Sequence, residues 1–208
     1  MISHKHKFIF VHIPKCGGTS ILNELNQFCD EKKQKVGHPR LRIINKNFYL
    51  YKPHGEEIYL DQTKYKIFTL VRNPFDRVVS SFFYFKSGVS KFPCDHEFCN
   101  NQRLHEFNFS DFVKHKLRKI NYAHFCQIIG DYIQPEDIDK IDFIGRFENF
   151  QDDFDIICDR IGIPRQQLPH KNKTKHKHYT EYYDEETREI VAEKYAKDIE
   201  YFGYKFGE

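Results

Sequence analysis

The stretch FIFVHIPKCGGTS, residues 8–20, carries the strongest local pattern in the sequence and decides the fold. It begins with a near-continuous apolar run of strand length, as expected for a parallel strand that is covered on both faces. Pro14 ends this run, and Gly17 and Gly18 permit backbone conformations that a Cβ would block. Apolar residues then recur at helical spacing from Ile21 onward. The stretch therefore predicts a strand, a tight glycine turn and a helix.

This turn has the properties of an anion-binding site. Backbone N–H groups and the positive end of the helix dipole point at one spot, and Lys15 adds a full positive charge. Thr19 and Ser20 place hydroxyl groups near the start of the helix. The order differs from that of a Walker A loop, GxxxxGK[ST], because Lys15 precedes the glycines. The alternative is an ordinary glycine turn, which requires neither the lysine nor the paired hydroxyls.

A second strand-to-helix junction lies in KIFTLVRNPFDRVVSSFFYF, residues 66–85. Arg72 follows a buried strand, and Asn73 is a good N-cap for a helix that has Pro74 at its first position. Ser80 lies two turns into this helix, on the face that carries Asn73. Arg72 and Ser80 are therefore predicted to converge on one phosphate. The alternative pairs Arg72 with a carboxylate and leaves Ser80 to cap a kink.

Both segments resemble sulfotransferases that use 3′-phosphoadenosine 5′-phosphosulfate (PAPS). PKCGGTS is similar to their 5′-phosphosulfate loop, above all to that of the carbohydrate branch, HIPKT-A/G-GTS, and FTLVRNPFDRVVS is similar to their 3′-phosphate motif. IGRFENFQDDF and HKNKT extend the resemblance, which covers residues 8–206. Strands that alternate with amphipathic helices favour an α/β fold. The resemblance implies a three-layer α/β/α architecture with a central, mostly parallel sheet, the P-loop-like sulfotransferase fold.

The resemblance implies transfer of a sulfuryl group from PAPS to a hydroxyl of a carbohydrate, on a glycan or glycolipid, without a metal. Lys15 is a catalytic candidate because it can stabilise charge on the leaving phosphate. Donor binding is assigned to residues of the glycine loop, the second motif and a basic segment near the C-terminus: Lys15, Cys16, Gly17, Gly18, Thr19, Ser20, Arg72, Ser80, Lys173 and Thr174.

The acceptor hydroxyl also needs a general base, and the unperturbed pKa of histidine, about 6.5, suits that task. His38 is the candidate, since it lies in a Gly-His-Pro turn and matches a histidine that precedes the 3′-phosphate strand in the family. His54 and Glu148 are the alternatives. For His124 and Gln127, a position that lines the cleft is weighed against a structural position, and a core or interface histidine is the favoured interpretation.

The composition limits the remaining choices. A chain of 208 residues is long enough for one domain with a sizeable core, so a single domain over residues 1–208 is predicted. The net charge is only +3, which argues against a nucleic-acid partner. No 18-residue apolar stretch or signal-peptide pattern stands out, so stable membrane insertion is not expected. A cytoplasmic location is predicted, the alternative being a trimmed lumenal domain of a membrane-anchored enzyme.

Six scattered cysteines predict mostly reduced thiols. A disulfide between Cys94 and Cys99 and a metal site formed by them with His96 and His105 are alternatives, although the spacing fits no common zinc pattern. The sequence leaves the oligomeric state open.

Residues 165–180, RQQLPHKNKTKHKHYT, carry the densest positive charge in the chain. An alternative function is therefore a non-catalytic binder of polyanions or nucleic acid, which would use the basic loop of residues 170–178. A nucleotide kinase with a divergent phosphate loop is a further alternative. The position of Lys15 and the spacing of Arg72 and Ser80 disfavour both.

Three other regions have weaker patterns. Residues 45–63 are predicted to form a loop excursion with a weak strand near residues 48–51, because Pro53 and Gly55 interrupt them. Residues 86–107 are predicted to be irregular. The last helix is predicted to begin near Asp184 and to end at Gly203.

Overall fold

The structure is a computed structural model that describes residues 1–29, 40–44, 47–51, 57–61, 64–90, 92–169 and 176–208. The chain divides into two compact units. The first contains Met1–Arg72 and Ile128–Lys171, and the second contains Asn73–Gln127 and Asn172–Glu208. The single domain over residues 1–208 stays a prediction. Within the described ranges, no helix is long and apolar enough to cross a membrane.

The secondary structure elements are numbered in chain order. The strands are β1 Ile2–Ser3, β2 Phe8–Val11, β3 Arg40–Ile44, β4 Asn47–Tyr51, β5 Glu57–Asp61, β6 Lys66–Val71 and β7 Phe143–Arg146. The helices are α1 Gly18–Leu25, α2 Pro74–Lys86, α3 Pro93–Gln102, α4 Phe109–His115, α5 Phe150–Ile161, α6 Glu185–Lys194 and α7 Ala196–Phe202.

The first unit is built around a four-stranded sheet with the order β1-β2-β6-β7. β6 pairs in parallel with both β2 and β7, and only the short β1 runs antiparallel to its neighbour. The mixed α/β class and the mostly parallel central sheet are thereby confirmed. Because parallel strands end at the same edge of a sheet, the turns after β2, β6 and β7 share one edge, which we call the carboxyl edge.

The sequence explains why these strands form the core. All four residues of β2 are buried, as the continuous apolar run predicts. Phe8 and Phe10 pack against Phe68 of β6, with ring centroids 5.6 and 5.4 Å apart. Thr69, a buried polar residue of this core, donates its hydroxyl to the Val11 carbonyl at 2.7 Å, so its burial does not leave the hydroxyl unpaired.

Residues 40–61 contain more regular structure than the predicted loop excursion, so that prediction was wrong in part. β3, β4 and β5 form a three-stranded antiparallel sheet, and β4 corresponds to the predicted weak strand. The segments NFYLY and EIYLD are rich in aromatic and branched residues that favour cross-strand pairing. The breakers Pro53 and Gly55 fall between β4 and β5, outside the described residues, and hid this pattern.

The second unit is helical. α2 begins as predicted, because the Asn73 side chain accepts a hydrogen bond from the Phe75 N–H at 3.1 Å. The core of this unit is aromatic, with Phe82 and Phe125 each packed against Phe112 at centroid distances of 5.1 and 5.3 Å. Many of the chain's abundant aromatic residues therefore pack around α2.

Two predictions for the second unit need correction. Residues 86–107 are not irregular throughout, since they contain α3, which starts with Pro93 at a position that tolerates a missing N–H. The last helix is divided into α6 and α7 at Tyr195, whose backbone leaves the helical region and whose hydroxyl donates to the Phe125 carbonyl at 2.8 Å.

All six cysteines are free thiols, so the Cys94–Cys99 disulfide is not formed.

Candidate functional site

The glycine turn after β2 has two residues in the left-handed region of backbone space. Lys15 has a φ of 65° and Gly17 has a φ of 78°. This conformation is uncommon for a residue with a side chain, so the turn holds Lys15 against its own preference. The Gly17 carbonyl accepts a hydrogen bond from the Ser20 N–H at 3.0 Å, which starts α1. The first N–H groups of a helix have no partner within the helix, so α1 presents them at the carboxyl edge.

Packing explains why both glycines are needed. A Cβ at Gly18 would overlap the ring of His12, and a Cβ at Gly17 would overlap the ring of Phe150. His12 is buried and its ring stacks on Phe10, so it has little freedom to move away. The sequence predicts that these glycines provide backbone freedom and close approach. Aromatic rings of the first unit also fill the space beside them.

Arg72 meets the glycine turn at the carboxyl edge. Its side chain is buried, and Nη1 donates to the Lys15 carbonyl at 2.9 Å. The guanidinium carbon lies 4.1 Å from the centre of the Phe147 ring. Phe147 directly follows β7 as Arg72 directly follows β6, and the register pairs Val71 with Arg146. The two sequence motifs that predicted anion binding are therefore joined by a hydrogen bond.

Sequence reasoning missed Phe147. One signal for it exists, because Phe147 lies at the end of a strand, as Arg72 does. Ligand-facing residues in parallel sheets lie at these positions. No spacing rule, however, connects a residue after β7 with one after β6.

The carboxyl edge receives two helix N-termini of the first unit, and they differ in charge. The first turn of α5 carries Asp152 and Asp153, and the Asp153 carboxylate accepts a hydrogen bond from the Arg146 N–H at 2.5 Å. The first turn of α1 carries no acidic residue. α5 thus provides its own anion, whereas α1 adds its positive pole to Lys15 and Arg72. This arrangement favours an external anion at α1.

The other predicted loop residues have different surroundings. The Cys16 thiol is buried and lies 3.6 Å from the Pro14 carbonyl, as befits a small packing residue. The buried Ser20 hydroxyl donates to the Pro169 carbonyl at 3.1 Å, which ties α1 to the segment that precedes the basic residues. Thr19 is exposed.

Ser80 belongs to the second unit, where it is buried in α2. Arg77, on the same face of α2, donates to the Cys126 carbonyl at 2.6 Å and pairs with the buried Asp198 at 3.5 Å. This face therefore contributes to the core of the second unit. The convergence of Ser80 with Arg72 on one phosphate stays a prediction.

His124 has the surroundings of a core histidine. It is 8% exposed, and its ring stacks on Tyr84 and Tyr122 at centroid distances of 5.3 and 5.9 Å. The favoured structural interpretation of His124 is confirmed by this packing. Gln127 is half-buried in the same unit.

The remaining candidates are placed as follows. Glu148 is exposed and is the second residue after β7. His38, His54, Lys173 and Thr174 lie outside the described residues, so their roles stay predictions. Among the described residues, no group of three His, Cys, Asp or Glu side chains is arranged to hold a metal ion.

Comparison with known proteins identifies the family. A family model described as "Sulfotransferase family" matches residues 1–205. The chain belongs to the sulfotransferase family. Human carbohydrate sulfotransferase 9 is 23% identical over 225 residues, which cover 95% of this chain and 47% of the human protein. An uncharacterised protein of Archaeoglobus fulgidus is 30% identical over 102 residues, covering 49% of this chain and 72% of that protein. The chain thus spans about half the length of its human relative.

Proposed function

We propose that this sulfotransferase moves a sulfuryl group from PAPS to a hydroxyl of a carbohydrate acceptor. The observation that carries the proposal is the hydrogen bond from Arg72 Nη1 to the Lys15 carbonyl, 2.9 Å long, which brings the two phosphate motifs to one edge of the sheet. The name of the human relative, carbohydrate sulfotransferase 9, supports the acceptor class. We extend the proposal to the three-layer, P-loop-like fold and to a single domain over residues 1–208.

The donor set fits a nucleotide with phosphate groups at two positions. Lys15 and the N–H groups at the start of α1 are suited to a 5′-phosphosulfate, because they add a full charge to the positive pole of a helix. Arg72 and Ser80 are the proposed partners of the 3′-phosphate, which PAPS has and ATP lacks. Lys173 and Thr174 are proposed to contact the same nucleotide. These groups are cations, hydroxyls and N–H donors, which suit phosphate oxygens without a metal.

Catalysis in this proposal depends on position and charge. By analogy with phosphoryl transfer, the moving group forms little bonding to the protein, so the residues act by alignment and by stabilising the charge that develops. Lys15 neutralises charge on the leaving phosphate, and the fixed N–H groups of α1 assist it. His38 removes the proton of the acceptor hydroxyl, with His54 and Glu148 as the other candidates for this base.

The first experiment measures nucleotide binding by calorimetry. The wild-type protein should bind adenosine 3′,5′-bisphosphate without a metal and more tightly than AMP or Mg-ATP. Arg72→Ala should weaken this binding about 10- to 150-fold, the usual effect of losing a hydrogen bond to a charged group. If the wild-type protein does not prefer the 3′-phosphorylated nucleotide, the proposed donor is wrong.

Arg160→Ala is the matched control. Arg160 also stacks on a phenylalanine, Phe143, at 4.7 Å, and donates to the Asp142 carbonyl at 2.5 Å, but it lies at the opposite edge of the same sheet. Its removal should leave nucleotide binding unchanged. Equal losses in both variants would indicate general electrostatic attraction, the behaviour of a polyanion binder, which also predicts a steep salt dependence.

A further inference from the structure

Phe147 contacts both parts of the proposed donor site. Its ring lies 4.1 Å beneath the guanidinium carbon of Arg72. Its Cδ2 would be 3.1 Å from a Cβ built on Gly17, so the ring also borders the glycine turn. Phe147 is only half-buried, so its packing is not that of a core residue. One side chain thus supports the arginine and the loop together.

Two contacts hold the guanidinium plane of Arg72 in position. The Lys15 carbonyl fixes one nitrogen, Nη1, at 2.9 Å. The ring of Phe147 lies over the guanidinium, and a cation–π contact of this kind is worth about 0.5–2 kcal/mol. Arg72 in turn binds the carbonyl of Lys15, a residue held at a φ of 65°. The ring therefore orients the arginine, and through it the strained turn.

We propose that Phe147 is a positioning residue of the donor site, which orients Arg72 toward the 3′-phosphate and holds the glycine turn in its binding conformation. This inference rests on the proposed function, because it assigns Arg72 to a 3′-phosphorylated nucleotide. The neighbouring Phe150 borders Gly17 as well, with its ring centroid 5.3 Å from that of Phe147. Only Phe147 of these two rings lies under the guanidinium.

The test compares Phe147→Leu with two control variants. Phe147→Leu keeps the apolar volume but removes the ring face, so affinity for adenosine 3′,5′-bisphosphate should fall about two- to thirtyfold. Affinity for AMP should fall by a smaller factor, because AMP reaches the glycine turn but has no 3′-phosphate for Arg72 to bind. Phe147→Tyr should restore the wild-type affinity. Phe143→Leu removes the equivalent ring under Arg160 and should leave both affinities unchanged. Phe150→Leu should change the two affinities equally.

A double-mutant cycle separates positioning from general packing. In the Arg72→Ala background, Phe147→Leu should cause no further loss of bisphosphate affinity, because the two side chains act as one unit. An undiminished loss in that background would overturn the proposal. So would an equal loss of AMP and bisphosphate affinity in Phe147→Leu alone.

Amide hydrogen exchange of the free protein keeps this test independent of the nucleotide. Phe147→Leu should accelerate exchange of the N–H groups of residues 15–18, and Arg72→Ala should accelerate it without additivity, whereas Phe147→Tyr should not. Unchanged exchange in Phe147→Leu would overturn the positioning role. If the wild type fails to prefer the 3′-phosphorylated nucleotide but exchange responds as expected, the proposed donor fails and the role of Phe147 in the turn stands.

Discussion

Two ends of one sheet carry nearly the same set of residues and use them differently. At the carboxyl edge, Arg72 stacks on Phe147 and donates to the Lys15 carbonyl. At the opposite edge, the amino edge, Arg160 stacks on Phe143 and donates to the Asp142 carbonyl.

The lysines that flank β2 repeat this correspondence. Both have a left-handed backbone, with a φ of 51° for Lys7 at the amino edge and 65° for Lys15 at the carboxyl edge. Cations stacked on aromatic rings and strained lysines therefore do not by themselves identify a binding site.

The difference lies in the helix poles. The C-terminal end of α5 reaches the amino edge, and Lys66 donates to the carbonyl of Arg160 in the last turn of this helix at 2.6 Å. The negative pole of α5 offsets the cations there. At the carboxyl edge, Lys15 and Arg72 meet the positive pole of α1, whose first turn has no acidic residue. The amino-edge cations lie beside a negative helix pole, whereas those at the carboxyl edge lie beside a positive one, which favours an anion there.

The amino edge also has an open cleft. A cleft of about 780 Å³ there is lined by residues that include Lys7, Lys66 and Arg160. Its volume alone would make it a candidate ligand site. The negative pole of α5 beside these cations favours a structural role instead, so helix polarity and cavity size lead to opposite assignments.

The largest expected effect comes from the two strained lysines. Lys15→Ala should lower the rate of sulfuryl transfer about 10²- to 10³-fold, because in the proposed mechanism its charge stabilises the leaving phosphate. Lys7→Ala, which changes the same residue type in the same backbone conformation, should leave the rate within twofold. Transfer is measured with a labelled donor at saturating concentration. Equal loss in both variants would mean that backbone strain, and not the local field, determines activity.

The glycines give the next effect. Gly18→Ala should destabilise the protein by about 1–3 kcal/mol, because the added Cβ would overlap the buried His12 ring. Donor binding should be lost with it, since the overlap lies at the start of α1. Gly162→Ala at the amino edge has open space around its Cβ and should cost only about 1–2 kcal/mol, from its φ of 72°.

Thermal unfolding and calorimetry read out the two glycine variants together. Gly162→Ala should retain wild-type donor affinity. His12→Ala combined with Gly18→Ala should recover part of the binding that Gly18→Ala loses, because the smaller side chain makes room for the Cβ. Failure of this rescue would show that a conformation, and not a steric contact, makes Gly18 necessary.

Elements with a local pattern could be predicted from the sequence. β2 followed by α1 and β6 followed by α2 both lie where an apolar run is ended by proline, glycine or a capping side chain. Lys15 and Arg72 were found for the same reason, since each lies between a strand and the helix that follows it.

Contacts that depend on strand register could not be predicted. Phe147 lies under Arg72 because β7 pairs with β6 across about seventy residues of chain, and no local pattern contains that pairing. The aromatic rings beside Gly17 come from the same distant segment, Phe147 and Phe150. The meander β3–β5 was missed because breakers between its strands outweighed alternating patterns only five residues long.

The smallest expected effect isolates the structural use of charge at the amino edge. Lys66→Met retains the apolar stem but removes the bond to the Arg160 carbonyl and the favourable interaction with the C-terminal pole of α5, which together contribute about 0.5–1.5 kcal/mol. Lys64→Met is the matched control, because Lys64 forms an exposed ion pair with Asp61 at 3.3 Å. Exposed pairs of this kind contribute little, so this variant should change stability by less than about 0.5 kcal/mol. Neither variant should change donor affinity. Stability is measured by urea unfolding and affinity by calorimetry. A loss of donor affinity in Lys66→Met without a loss of stability would contradict the assignment of the two edges, since the amino edge would then act on the ligand and not on the fold.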